Sequence, residues 1–293
     1  MGAHMNEHDL LIEQAAQIVR DADAIVIAAG AGMGVDSGLP DFRGNSGFWE
    51  AYPALAAAGI DFQAAASADS FVSDPVQAWE FYGHRLALYR RTVPHAGFAL
   101  LRNWAGTKAL SYSVFTSNVD GQFQRAGFGT DLVHECHGSI HHLQCTRPCS
   151  DAIWAADDFL PVVYEQACRL ICDVPRCPHC GAVARPNILM FDDWSWVSKR
   201  ADAQRACQQK WVEAVSRPVV IEIGAGKAIP TVRHFSQGSF SGAAARSSGL
   251  IHSISGLDDP RMWASNCRHR MHLHCLVSPN LSPSGKFCPL VTA

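Results

Sequence analysis

Four cysteines fall in two close pairs, Cys145-x3-Cys149 and Cys177-x2-Cys180. Thiolates at these spacings suit a tetrahedral Zn²⁺, and a site closed by four of them is structural because it keeps no position open for water. Cys172 competes for a ligand position, while Cys136, Cys168 and Cys207 read as small buried hydrophobes. Gly30, Gly32 and Gly34 crowd together directly after an apolar run. Glycine lets backbone approach a ligand closely, so this junction is a natural cradle for a phosphate or dinucleotide. It departs from G-x-G-x-x-G, because Val35 stands where the third glycine belongs. His137, flanked by Gly138 and Ser139, is a candidate general base, since imidazole titrates nearest to neutral pH. A surface or structural histidine is the alternative, as it must be for most of the 14 in the chain.

The elements that must position these groups follow from hydrophobic pattern. AIVIAA at 24–29 is apolar without polar alternation, which suits a strand buried on both faces of a parallel sheet. SVFT at 113–116 and VVIEI at 219–223 are similar runs, the second ending in Gly224-Ala225-Gly226. Chemistry at the carboxyl ends of several such strands is the arrangement of an open, doubly wound α/β sheet. Leu10, Leu11, Ala15, Ile18 and Val19 predict a helix before the first strand. Residues 47–91 are rich in alanine and aromatics, among them Phe48, Trp49, Phe62, Phe71, Trp79, Phe81 and Tyr82, and read as a helical insertion with an aromatic core.

The totals narrow the function classes. The chain has 293 residues, net charge −3 and no basic run, which gives no reason to expect nucleic acid as a direct partner. No apolar stretch approaches the length of about 20 residues that spans a bilayer, and no signal-peptide core is evident, so a soluble, cytoplasmic protein without a membrane is expected. Eleven cysteines without a secretion signal favour metal ligation and buried thiols over disulfides. Residues 1–5, MGAHM, read as a leftover of cloning and are set aside.

GAGMGVDSGLPDFRG at 30–44 resembles the NAD-binding loop of the sirtuins, NAD-dependent protein lysine deacylases. TSNVDG at 116–121, HECHGS at 134–139 and CPHCGAVARPNILMF at 177–191 resemble further motifs of that family, in the same order, and the type is bacterial. The resemblance implies a Rossmann-like doubly wound parallel sheet with a smaller inserted zinc-binding and helical domain. It divides the chain into Rossmann-like segments 6–46, 94–140 and 191–255, a helical insertion 47–93, a zinc-binding insertion 141–190 and an atypical tail 256–293. It implies NAD as cofactor, one structural Zn²⁺ per chain on Cys145, Cys149, Cys177 and Cys180, and acylated-lysine proteins or peptides as partners.

The family's mechanism, carried onto this chain, has the acyl-lysine carbonyl oxygen attack the ribose carbon that bears nicotinamide. His137 then removes a proton from a ribose hydroxyl on the way to O-acyl-ADP-ribose. Asn118 and Asp120 match the catalytic polar pair of the nicotinamide pocket, and Asp41, Phe42 and Arg43 match the loop that closes over NAD. Gly30, Ala31, Gly32, Ser117, Gly224, Ala225 and Gly226 complete the implied cofactor contacts. Ser117 stands where the family commonly has Gln, and Gly224-Ala225-Gly226 replaces Gly-Thr-Ser, removing two hydroxyls while keeping backbone N–H donors.

Ile188, Met190 and Phe191 match the segment that pairs with an extended substrate peptide. Asp192-Asp193-Trp194, in place of the frequent Gly-Glu, is expected to add negative charge beside that groove. Tyr82-x-x-Arg85 resembles the pair carried by sirtuins that prefer acidic acyl groups, which extends the expected substrates from acetyl to succinyl and malonyl. An ordinary amphipathic helix with Arg85 solvated is the alternative. At the level of function, the alternatives are ADP-ribosyl transfer, NAD hydrolysis, or a catalytically weak NAD- and zinc-binding interaction module. After about Gly238 periodicity is lost. A strand at 250–254 is expected there, and Cys267, His269, His272, His274 and Cys275 have no standard metal spacing.

Overall fold

The computed structural model describes residues 7–40, 45–164, 168–226, 229–238 and 252–254. Five parallel strands, β1 (Ala24–Ala29), β2 (Tyr112–Thr116), β3 (Val133–Glu135), β9 (Pro218–Ile223) and β10 (His252–Ile254), form a sheet in the order β10-β9-β1-β2-β3. β1 is central, pairing Ile27 with Val114 on one side and with Ile221 on the other. Its six residues are fully buried, but they serve two faces in alternation. Ile25, Ile27 and Ala29 pack with Phe98 and Leu101 of helix α7 (Ala96–Gly106), backed by Ile18 and Val19 of α1 (Glu7–Asp21). Ala24, Val26 and Ala28 pack with Trp211 of α9 (Lys199–Ala214) and Val232 of α10 (Thr231–Gly238). An all-apolar strand without polar alternation is what a sheet covered on both faces requires.

The second unit is built on α6 (Pro75–Arg91), whose start is fixed by Pro75 and by the Asp74 carboxylate accepting from the Gln77 amide at 3.0 Å. The short helices α2 (Asn45–Ala51), α3 (Pro53–Ala57), α4 (Phe62–Ala65) and α5 (Ser70–Ser73) precede it. Against it lies an antiparallel sheet, β5-β4-β8, made of β4 (Gly138–Cys145), β5 (Ile153–Ala155) and β8 (Ala184–Ile188). A ribbon of β6 (Val163–Tyr164) and β7 (Arg169–Leu170) completes the unit. One continuous core joins these parts: Phe48, Trp79, Phe81, Tyr82 and Leu86 pack with Ile140, Leu143 and Ala184. The Trp79 indole N–H reaches across to the Ala184 carbonyl at 2.8 Å, and Arg90 donates to the carbonyls of Phe159 and Ala156, both at 2.7 Å. The short α8 (Gln122–Arg125) leads from the β2 end towards β3. No helix among the described residues is long and apolar enough to cross a membrane.

Candidate active site

β1, β2 and β9 end side by side, with Ala29 in register with both Thr116 and Ile223, so their loops leave from one edge of the sheet. The Gly30 amide donates to the Ile223 carbonyl at 2.9 Å and the Gly32 amide to the Gly224 carbonyl at 3.1 Å. A Cβ at Gly30 would lie 2.6 Å from the Gly224 oxygen, while Gly224 has φ +63° and its Cβ would meet the Met33 nitrogen at 2.3 Å. The two loops therefore lock together only because neither carries a side chain there. The Asn118 amide closes the third side, donating to the Gly30 carbonyl at 3.0 Å. His95 buttresses the arrangement from the N-cap of α7, with Nε2 3.0 Å from the Met33 carbonyl oxygen.

Below these loops opens a cavity of about 680 Å³, within the size usual for small-molecule and cofactor sites. Gly30, Ala31, Ser117, Asn118 and Gly226 line its sheet side, joined by Asp120 and His137. Gly32, Gly224 and Ala225 belong to the wall behind; Ala225 is buried beneath β9's end. The bare backbone at the strand ends fits a dinucleotide, whose phosphates need close backbone approach and amide donors. Asp41, Phe42 and Arg43 lie outside the described residues.

His137 sits at the step between β3 and β4. Gly138 follows it at φ +78°, where a Cβ would lie 2.1 Å from the Asn187 oxygen, so glycine alone permits the turn onto β8. The Leu189 amide donates to the His137 carbonyl at 2.9 Å, anchoring the backbone from the other side. Burial pulls the imidazole below its ordinary pKa, opposed by its hydrogen bond to the Ser117 backbone. A carbonyl partner fixes the tautomer and leaves the other ring nitrogen with its lone pair, the state a base needs. Asp120 is pushed up to about 6, chiefly by burial; the Gln122 amide, which donates to it at 2.9 Å, and the nearby Arg85 oppose this, and Glu135 adds to it.

The opposite wall comes from α6 and from the end of β8. Tyr82, Arg85 and Tyr89 all face the cavity, at 1%, 7% and 4% exposure, so the solvated alternative for Arg85 does not hold. The guanidinium lies over the rings of Phe81, Tyr82 and Tyr89 at 5.1–5.4 Å. Tyr89 was not singled out in the sequence, although its place four residues after Arg85 sets it on the same helix face. Ile188, Met190 and Phe191 line the mouth, and the Phe191 amide donates to the Ala66 carbonyl at 3.1 Å. The negative charge expected beside the groove is halved: Asp192 is exposed, but Asp193 turns inward and forms a buried ion pair with Arg185 at 2.8 Å, and Trp194 is 97% exposed.

At the far end of the second unit, the sulfurs of Cys145, Cys149, Cys177 and Cys180 lie within 4.8 Å of one another. Cys145 Sγ is 3.6 Å from Cys180 Sγ, and Cys149 Sγ is 3.7 Å from Cys177 Sγ. Zn–S bonds of about 2.3 Å in a tetrahedron require S···S edges of roughly 3.8 Å, so the cluster fits Zn²⁺ without rearrangement. Cys172 stays apart, its sulfur accepting from the Val162 amide at 3.4 Å, and Cys168 is buried against the Glu80 carbonyl. The tail cluster from Cys267 to Cys275 and the segment 256–293 lie outside the described residues, whereas His252–Ile254 adds the expected edge strand.

Among curated proteins, an NAD-dependent protein deacylase of Corynebacterium glutamicum is 33% identical over 184 residues, 62% of this chain and 65% of that one. A second, an NAD-dependent protein deacylase 2 of Corynebacterium efficiens, is 32% identical over 67% of this chain and 73% of its own. The Aeropyrum pernix deacylase is 31% identical over 61% of this chain and 64% of its own, so the match spans just under two thirds of some relatives. Among solved structures, a Sir2 homologue in complex with NAD superposes at a TM-score of 0.57 and 23% identity, covering 87% of this chain and 84% of that one. A Sir2 protein bound to a propionylated peptide gives 0.57 at 22% identity, covering 85% and 88%. At such identities the likeness establishes the shared fold. The Sir2 family pattern itself matches residues 30–215, the stretch that contains the first glycine loop, His137 and all four clustered cysteines, and by that match the chain belongs to the Sir2 family.

Proposed function

We propose that this protein removes acyl groups from protein lysines with NAD as co-substrate, giving nicotinamide and O-acyl-ADP-ribose. The observation that carries this reading is the convergence on one cavity of side-chain-free strand ends, a half-buried imidazole with its pKa lowered, and the 188–191 segment at its mouth. Bound NAD supplies a ribose carbon with nicotinamide as its leaving group. The chain's residues do the rest. Gly30 and Ala31 offer backbone to the phosphates, and Gly226 does so without the side-chain hydroxyls of the family pattern. Asn118 and Asp120 hold the nicotinamide end, and His137 accepts the ribose proton through its free lone pair. Residues 188–191 present backbone to an extended peptide, which allows many substrate sequences. Mass analysis of the products formed from NAD and an acyl-lysine peptide tests the reading.

Within it, the enzyme takes acyl groups tipped by a carboxylate, such as succinyl or malonyl, as well as acetyl. What supports this is Arg85, a buried guanidinium lining the cavity, beside a Tyr82 hydroxyl that makes no hydrogen bond among the described residues. Arg85→Met should lower succinyl-lysine hydrolysis by about ten- to a hundredfold, as expected for losing a charged hydrogen bond, and leave deacetylation nearly unchanged. Equal losses on both substrates would make Arg85 merely structural.

A further inference from the structure

Tyr89 lies one helical turn beyond Arg85 on α6, on the cavity-facing side that also carries Tyr82. Its phenol oxygen accepts two hydrogen bonds from a single edge of the guanidinium, from Nε at 3.1 Å and from Nη2 at 2.9 Å. The same ring also lies beneath the cation, 5.4 Å from the guanidinium carbon. Tyr89 is itself 4% exposed and packed in the core of the second unit, so the oxygen is a fixed point. An arginine side chain has four rotatable bonds, and a cation on that tether meets a ligand well only if something holds its plane. Two bonds from one edge to one buried oxygen do this: they set both the position and the rotation of the guanidinium relative to the cavity.

We propose that Tyr89 is a positioning residue for acyl-group selectivity, holding Arg85 in the orientation that receives a carboxylate. This rests on the reading of Arg85 given above. An acyl chain ending in a carboxylate then meets a pre-oriented cation and loses little side-chain freedom on binding. An acetyl group, too short to carry a charge, is indifferent to Tyr89. The effect is one of ground-state and transition-state binding alike, which appears in KM and leaves kcat in place.

The test is steady-state kinetics at saturating NAD on one peptide carrying either acetyl- or succinyl-lysine, with the wild type, Tyr89→Phe, Arg85→Met and the double variant. Phenylalanine keeps the ring beneath the cation and removes only the oxygen. Tyr89→Phe is expected to raise KM for the succinyl peptide about tenfold, with its kcat and both acetyl parameters within about twofold of wild type. In the Arg85→Met background, Tyr89→Phe should change nothing further, because the residue it positions is gone. An unchanged succinyl KM in Tyr89→Phe, with a raised one in Arg85→Met, would overturn the role of Tyr89 and leave the carboxylate reading standing. A wild type inactive on the succinyl peptide, or an Arg85→Met variant equal to wild type on it, would end both. If Tyr89→Phe weakens the fold, that loss persists in the double variant and falls on both peptides, which would also overturn the proposal.

Discussion

His137 is placed by backbone, not by neighbouring side chains: Gly138 makes the turn, the Leu189 amide holds the carbonyl, and the Ser117 backbone holds the ring. His137→Ala should therefore leave the cavity intact. Turnover is expected to fall by about 10²- to 10⁴-fold, the usual range for a positioned proton acceptor, while calorimetric NAD affinity stays within a fewfold of wild type. Asp120 gives a second, pH-dependent handle. Its folded pKa of about 6 lies above the ordinary 3.8, so the group's contribution to stability is fully present below about 3.8 and is lost as pH rises through about 6. Burying the ionised form at neutral pH costs on the order of 3 kcal/mol by that difference. Asparagine does not titrate. The melting temperature of Asp120→Asn relative to wild type should thus climb by several degrees between pH 5 and pH 8; a constant difference would mean that Asp120 ionises as freely folded as unfolded. Activity of the wild type should fall on acidification through the same range, since both Asp120 and His137 then take up protons.

At the scale of elements, β1 and β9 were legible because a strand covered on both faces is apolar almost throughout, Glu222 of β9 being ion-paired with Arg233, and the glycines at their ends because tight loop contact excludes side chains. The clustering of Cys145, Cys149, Cys177 and Cys180 was legible from spacing alone. What spacing could not convey was partnership across the chain. Trp79 bonds to Ala184 from 105 residues away, so the helical and cysteine-bearing segments, separate in sequence, share one core. Asp193 reads as a surface charge until Arg185 on β8 is seen to bury it. Tyr89 has an ordinary place in an aromatic helix until its oxygen is found on Arg85. The shared core gives the metal a wide influence. About one zinc per chain is expected in purified protein, and chelation or Cys177→Ser should lower melting temperature, solubility and activity together, since a structural zinc contributes folding free energy directly. Complete metal loss at an unchanged melting temperature would contradict that.

On the scale of the whole molecule, the cavity lies where the two units meet, with the parallel sheet supplying backbone and His137 from one side and α6 and residues 188–191 supplying the substrate walls from the other. Neither unit alone makes the site. This division suits a reaction between a nucleotide and a peptide, and the products formed there separate deacylation from ADP-ribosyl transfer, NAD hydrolysis and mere binding. The most direct measurement is mass spectrometry of the products from NAD and an acetyl-lysine peptide incubated with the purified chain. The account predicts nicotinamide, deacylated peptide and O-acetyl-ADP-ribose in equal amounts, with nicotinamide release dependent on the peptide. Free ADP-ribose formed without peptide, ADP-ribose attached to the peptide, or no consumption of NAD at all would contradict it.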